Sequence, residues 1–342
     1  MNNEKRIHSI DGLRAFAIAL VLLQHLYSSK TIPALNYLWR FELLGDIGVR
    51  VFFVISGFLI TTLLHREHAR TGGMDIRAFY LRRALRILPA YYFLLFVVAA
   101  GVALDLQPFS LRELLGPAFF LTNYIGSPWA LGHTWSLAVE EQFYLLWPIL
   151  LVTLGWKRAP WIVLLFCVVA PVLRGLIGGS TQILWSRFEV AGDAIGWGCL
   201  YAIVLQRRNL PALSTGRSAI GAAAAAVTLL GMSMFSGWPL FWNIGGTVLA
   251  NLTVVVLMHC ALNAEGTIVF WCLNNRPTRL VGVLSYSLYL WQQVFIYGGF
   301  KLDAPENLIA IGIAAVLSFQ LIEKPFLKLR GRLPTKPSLK VA

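Results

Sequence analysis

Arg14 and His25 stand eleven residues apart in the first long apolar run of the chain. Eleven residues turn a helix by about 1100°, close to three full turns, so both side chains leave from one face about 16 Å apart along the axis. An imidazole titrates near neutral pH and suits general-base work. Taken alone, His25 could also be a satisfied core histidine, and the arginine on the same stripe argues against that. Asp75 to Pro89 holds Arg82, Arg83 and Arg86 one helical turn after Phe79, with Asp75 as N-cap and Pro89 as start or kink of the next helix. Guanidinium forks match phosphate oxygens. An interfacial anchor on anionic lipid is the alternative for this segment. Glu140 and Glu141 sit about one turn into another apolar run, which opens His133-Thr134-Trp135-Ser136. Either carboxylate could hold the tautomer of a catalytic histidine, as triad carboxylates do. Arg187, Glu189 and Asp193 open a further run, where intramembrane pairing is the simple account and an acceptor site is the sharper one.

Those residues need elements that a membrane supplies. Of the 342 residues, 57% are hydrophobic and only 13% charged, and the mean hydropathy is +0.67. A soluble domain carries about a quarter charged residues, so much of this surface must face lipid. A spanning helix needs roughly 20 apolar residues. The pattern predicts an all-α polytopic membrane protein of about ten transmembrane helices, near 12–29, 46–64, 89–106, 137–156, 160–178, 189–206, 218–236, 241–262, 281–299 and 306–323. The apolar stretch 114–125 is too short to span and reads as re-entrant or interfacial. Residues 1–330 form one membrane domain, and the charged, proline-containing tail 331–342 reads as disordered. With the N-terminus inside, most of the 29 Lys and Arg fall on inner segments, which predicts both termini in the cytoplasm. This placement, with Arg174 and Arg187 among the few outer basic residues, also explains the net charge of +13 without nucleic acid. Gly48 and Gly57 permit close helix approach, and Asp46 and Arg50 are spaced to pair. The four cysteines form no CxxC pair and no residues show metal-ligand spacing, so no permanently bound cofactor is expected.

Several segments in order carry a resemblance across nearly the whole chain: Ile10-Asp11-Gly12-Leu13-Arg14-Ala15 with His25; Gly48 to Phe58; Arg82-Arg83 with Arg86-Ile87 and Pro89; Thr134 to Leu137 with Glu140 to Tyr144; Arg187 to Glu189; Leu284 to Trp291; and Glu323-Lys324-Pro325. Together they resemble the acyltransferase-3 family of integral-membrane acyltransferases. The resemblance implies transfer of an acyl group, usually acetyl, from cytoplasmic acyl-CoA, here acetyl-CoA, to a hydroxyl of a lipopolysaccharide, polysaccharide or other secreted acceptor. Many members carry a histidine after the ninth-span Tyr-Leu-Trp, where this chain has Gln292 and Gln293, so no catalytic role is assigned there. Some relatives append an extracytoplasmic domain, so a separate helper protein is a possible partner.

The expected roles are therefore His25 as general base with Glu140 or Glu141, donor phosphates on Arg82, Arg83, Arg86 and Arg14, and the acceptor near His133, Trp135, Ser136, Arg187 and Glu189. Direct transfer and an acyl-histidine intermediate both remain open. A secondary transporter or flippase is the rival class, since it too keeps charges inside the membrane.

Overall fold

A computed structural model describes residues 8–30, 43–177, 182–207, 214–234, 241–297, 302 and 304–332. Among the described residues every element is helical and no strand is present. The long elements are α1 (His8–Ser29), α2 (Leu44–Thr71), α3 (Ile76–Ala103), α4 (Thr134–Ile177), α5 (Asp193–Arg207), α6 (Thr215–Met232), α7 (Thr247–Leu262), α8 (Arg276–Tyr297), α9 (Glu306–Ser318) and α10 (Lys324–Gly331). Each expected span holds a helix. Six helical stretches are long and apolar enough to cross a membrane: His8–Ser29, Leu44–Thr71, Ile76–Ala103, Thr134–Leu176, Trp242–Leu262 and Glu306–Gly331. Much of the apolar surface is unburied, as a lipid-facing helix requires. Phe96, Trp161, Leu176 and Ile220 are each about 70% exposed or more. The tail expected to be disordered lies, from residue 333 onward, outside the described residues.

Two boundaries differ from expectation. The arginine segment and the span after it form one continuous helix, α3, with Pro89 inside it. Asp75 caps its start as expected, accepting from the Ala78 N–H at 2.9 Å. In α4, two expected spans join through Gly155, whose φ of 72° and ψ of 169° break the helical ladder between two arms. A side chain there would be strained, and glycine is not. The stretch 114–125 folds as short pieces, Leu115–Ala118 and Thr122–Ile125, with Phe119 and Ile125 exposed.

Helix α2 is the centre of the bundle, with 78% of its apolar window buried. Glycine makes that possible. A Cβ on Gly57 would lie 1.9 Å from the Ile195 carbonyl oxygen, and one on Gly198 would lie 2.1 Å from the Val54 carbonyl oxygen. This reciprocal pair lets α2 and α5 meet backbone to backbone. A Cβ on Gly48 would lie 2.6 Å from the Ala17 carbonyl oxygen, so α1 is drawn against α2 in the same way. Both glycines do what their spacing suggested. The result packs α1 against both α2 and α8, and residues from all three line the interior.

Candidate active site

Helix α1 delivers Arg14 and His25 to two different cavities. The first, of about 90 Å³, is lined by Arg14 from α1, Ser56 from α2, Arg83 and Arg86 from α3, Glu140 and Tyr144 from α4, and Tyr286 from α8. Glu140 accepts from the Ser56 hydroxyl at 2.8 Å. Tyr144 donates to Ser56 Oγ at 2.9 Å. The Arg83 guanidinium lies 4.7 Å from the Tyr144 ring centre, a cation–π distance that holds the charge over the cavity. Three guanidiniums thus converge on a polar pocket with one carboxylate.

Arg82 does not join them. It pairs with Glu67 of α2 at 3.0 Å, outside the cavity. Adjacent residues on a helix point about 100° apart, so Arg82 and Arg83 cannot both face the cavity, and the packing of α3 turns Arg83 inward. The cavity-facing set is therefore Arg83 and Arg86 with Arg14, and Arg82 is not part of the expected arginine face.

The second cavity, of about 270 Å³, is lined by His25 and Gln24 of α1, Asp46 and Arg50 of α2, His133, Trp135, Trp129, Trp185, Trp242, Arg174 and Gln293. His25 Nδ1 lies 3.0 Å from Gln292 Oε1, and Gln293 Nε2 lies 3.0 Å from His25 Nε2. Gln293 Oε1 in turn accepts from the His133 backbone N–H at 2.7 Å and lies 3.0 Å from His133 Nδ1. Tyr297 donates to the His25 carbonyl at 3.0 Å, with its ring edge-on to the imidazole at 6.0 Å. The expected carboxylate partner of His25 is thus absent. Glu140 turns to Ser56, and Glu141 lines neither cavity and leaves its buried Oε1 without a partner. Two amides occupy the ring nitrogens instead.

The floor of the second cavity is a buried polar chain. Arg50 Nε donates to Asp46 at 2.7 Å and Arg50 Nη1 to Asn251 Oδ1 at 3.1 Å. Asn251 Nδ2 reaches Asp193 Oδ2 at 3.1 Å, and Arg174 grips both Asp193 oxygens at 3.0 and 2.8 Å. The expected Asp46–Arg50 pair forms. Arg174, expected at an outer helix end, has a side chain only 1% exposed. Burial of two charges is tolerated here because the guanidinium and the carboxylate meet in a bidentate fork and each finds further partners. Arg187 and Glu189 form a loose 3.9 Å pair, and both are half-buried beside Tyr124. Neither lines either of these two cavities; Asp193 is the member of that segment that reaches the interior.

Ser136 sits between the two spaces. It lines the first cavity and lies 2.5 Å from the Tyr289 hydroxyl, which also donates to the His133 carbonyl at 2.9 Å. Val49, Phe53 and Tyr289 line both cavities. These three residues form a wall shared by the two cavities. Tyr286, Tyr289, Gln293 and Tyr297 follow one another at three- and four-residue spacing, so one face of α8 runs from the first cavity to His25. Sequence reasoning missed Asn251 and the glutamines as site residues. An amide inside the apolar run of α7 was the available signal for the first.

A family profile described as an acyltransferase domain matches residues 7–322. The chain belongs to the acyltransferase-3 family. An acyltransferase domain thus makes up most of the chain. The chain is similar to the peptidoglycan O-acetyltransferase OatA of Listeria monocytogenes, at 28% identity over 95% of this chain and 56% of the relative. It is similar to the O-acetyltransferase OatA of Staphylococcus aureus at 27% identity, over 96% of this chain and 58% of the relative. The chain thus spans little more than half the length of these curated relatives. No solved structure matches it. As a member of a membrane acyltransferase family with several membrane-length helices, it is a multi-pass membrane protein.

Proposed function

We propose that the enzyme moves an acetyl group from acetyl-CoA in the cytoplasm to a hydroxyl of a cell-envelope glycan, across a bacterial cytoplasmic membrane that it crosses ten times with both termini inside. One observation carries this reading. A single helix, α1, puts a guanidinium in one cavity and an imidazole in another, and Val49, Phe53 and Tyr289 line both. The names of the Listeria and Staphylococcus relatives support acetyl as the group, and the Listeria name supports peptidoglycan as the acceptor.

Arg14, Arg83 and Arg86 hold the donor's phosphates, each charge-assisted contact contributing about 1.5–3 kcal/mol. The pantetheine arm carries the thioester to the wall of Val49, Phe53 and Tyr289. The acceptor sugar enters the second cavity, where tryptophan faces stack on its ring and Asp46, Gln24 and Trp135 surround it. His25 takes the proton of the acceptor hydroxyl, and the hydroxyl oxygen attacks the thioester carbonyl carbon. The carbon–sulfur bond breaks, CoA leaves as the thiolate, and the proton on His25 passes to it to give free CoA and the acetyl ester. Glu140 with Ser56 and Tyr144 shapes the polar end of the donor route. A separate extracytoplasmic protein presents or further modifies the acceptor.

Purified enzyme given labelled acetyl-CoA and a peptidoglycan fragment should form labelled acetyl ester. His25→Ala should lower kcat by on the order of 10²–10⁴, the range for losing a general base. Full activity in His25→Ala would remove the base from its role, and transport of the glycan without ester formation would establish the transporter reading instead.

A further inference from the structure

We infer that Gln292 and Gln293 are positioning residues that lock His25 in a single tautomer, with Nε2 as the nitrogen that takes the acceptor's proton. This rests on His25 being the base. The assignment follows from hydrogen-bond polarity rather than from the drawn orientation of either amide. The His133 backbone N–H can only donate, and it meets Gln293 at 2.7 Å, so the Gln293 atom there must be the oxygen. The other end of that side chain is then the NH₂ group, and it faces His25 Nε2 at 3.0 Å. A nitrogen facing an NH₂ donor must offer its lone pair. A neutral imidazole carries one proton, which therefore sits on Nδ1 and points at Gln292, 3.0 Å away. Gln292 must present its oxygen, because a second NH₂ group would leave the ring with no proton at all.

The Gln292 amide nitrogen is fully buried and has no hydrogen-bond partner. Such an orphan costs stability unless its presence serves something else. Here the same side chain supplies an acceptor to Nδ1–H, the task that an aspartate performs in a serine-hydrolase triad. A neutral amide does this within the membrane without adding a charge. Gln293 does the complementary task. It ties His25 to His133 and covers Nε2 until an acceptor hydroxyl, arriving in the second cavity, replaces its NH₂ group.

The two positions consequently need opposite things: residue 292 an acceptor, residue 293 a donor. In the acetyl-transfer assay with purified full-length enzyme, Gln292→Leu should lower kcat by on the order of 10²-fold or more, as loss of tautomer control does elsewhere. The donor KM should stay within about twofold, because the arginine cavity is untouched. Gln292→Glu or Gln292→His, each offering an acceptor, should recover most of that loss. Gln293→Glu keeps the oxygen for His133 but faces Nε2 with an acceptor, which draws the proton onto the base nitrogen, so its kcat should fall like that of Gln292→Leu. Thermal unfolding in detergent checks that each variant is folded, and His25→Ala is run beside them. The inference is overturned if Gln292→Leu and Gln293→Glu keep wild-type kcat while His25→Ala is inactive. It is equally overturned if both Gln292→Glu and Gln292→His stay as slow as Gln292→Leu. Activity in His25→Ala would instead remove the general-base reading itself.

Discussion

Arg82 and Arg83 are neighbours in the chain and meet different surroundings: Arg82 pairs with Glu67, while Arg83 lies over Tyr144 inside the first cavity. Arg83→Ala should raise the KM for acetyl-CoA on the order of tenfold or more, since a charge-assisted phosphate contact is worth about 1.5–3 kcal/mol. Arg82→Ala should change it by no more than about twofold, because a partly exposed ion pair contributes about 0–1 kcal/mol and touches no donor. Initial rates over a range of donor concentrations separate the two. Both arginines were equally visible as sequence. Which of them faces the cavity was not, because that depends on the rotation of α3 against α2 and α4. Arg14 and His25 were legible as a pair because helical spacing alone puts them on one stripe. Gln292 and Gln293 were not, because an uncharged amide in an apolar run has the same appearance whether it orients a base or satisfies a core.

The elements explain why these side chains can meet at all. Gly57 and Gly198 let α2 and α5 touch backbone to backbone, and the chain of Arg50, Asn251, Asp193 and Arg174 ties α2, α7, α5 and α4 beneath the second cavity. Arg174→Leu should strongly destabilise the protein, by about 3–5 kcal/mol, because it strands the fully buried Asp193 carboxylate. Arg174→Leu with Asp193→Leu should recover part of that loss, and thermal unfolding of the single and double variants measures both. The wall between the cavities makes a separate prediction about specificity. Phe53→Ala opens space beside Val49 and Tyr289, so the butyryl-to-acetyl rate ratio should rise about tenfold, the scale of discrimination that one or two methylenes provide. The helical segments themselves were readable from apolar run length. The continuity of α3 through Pro89 and the break at Gly155 were not, because each depends on packing that propensity does not encode.

At the scale of the whole molecule, the account places donor and acceptor at opposite ends of α1, with chemistry where the two cavities meet. The alternation of basic residues along the sequence suggested that orientation, and the exposed apolar belt of Phe96, Trp161 and Ile220 suits a surrounding bilayer. The partition into two cavities could not be read from the sequence, because it arises where α1, α2 and α8 converge on Val49, Phe53 and Tyr289. The most direct measurement is vectorial transfer in sealed proteoliposomes of known orientation, with labelled acetyl-CoA only on the side of the arginine cavity and a peptidoglycan fragment only on the other. The account predicts labelled acetyl ester on the far side, no passage of intact acetyl-CoA, and loss of the product in His25→Ala. Product that forms only when donor and acceptor share one side would contradict it.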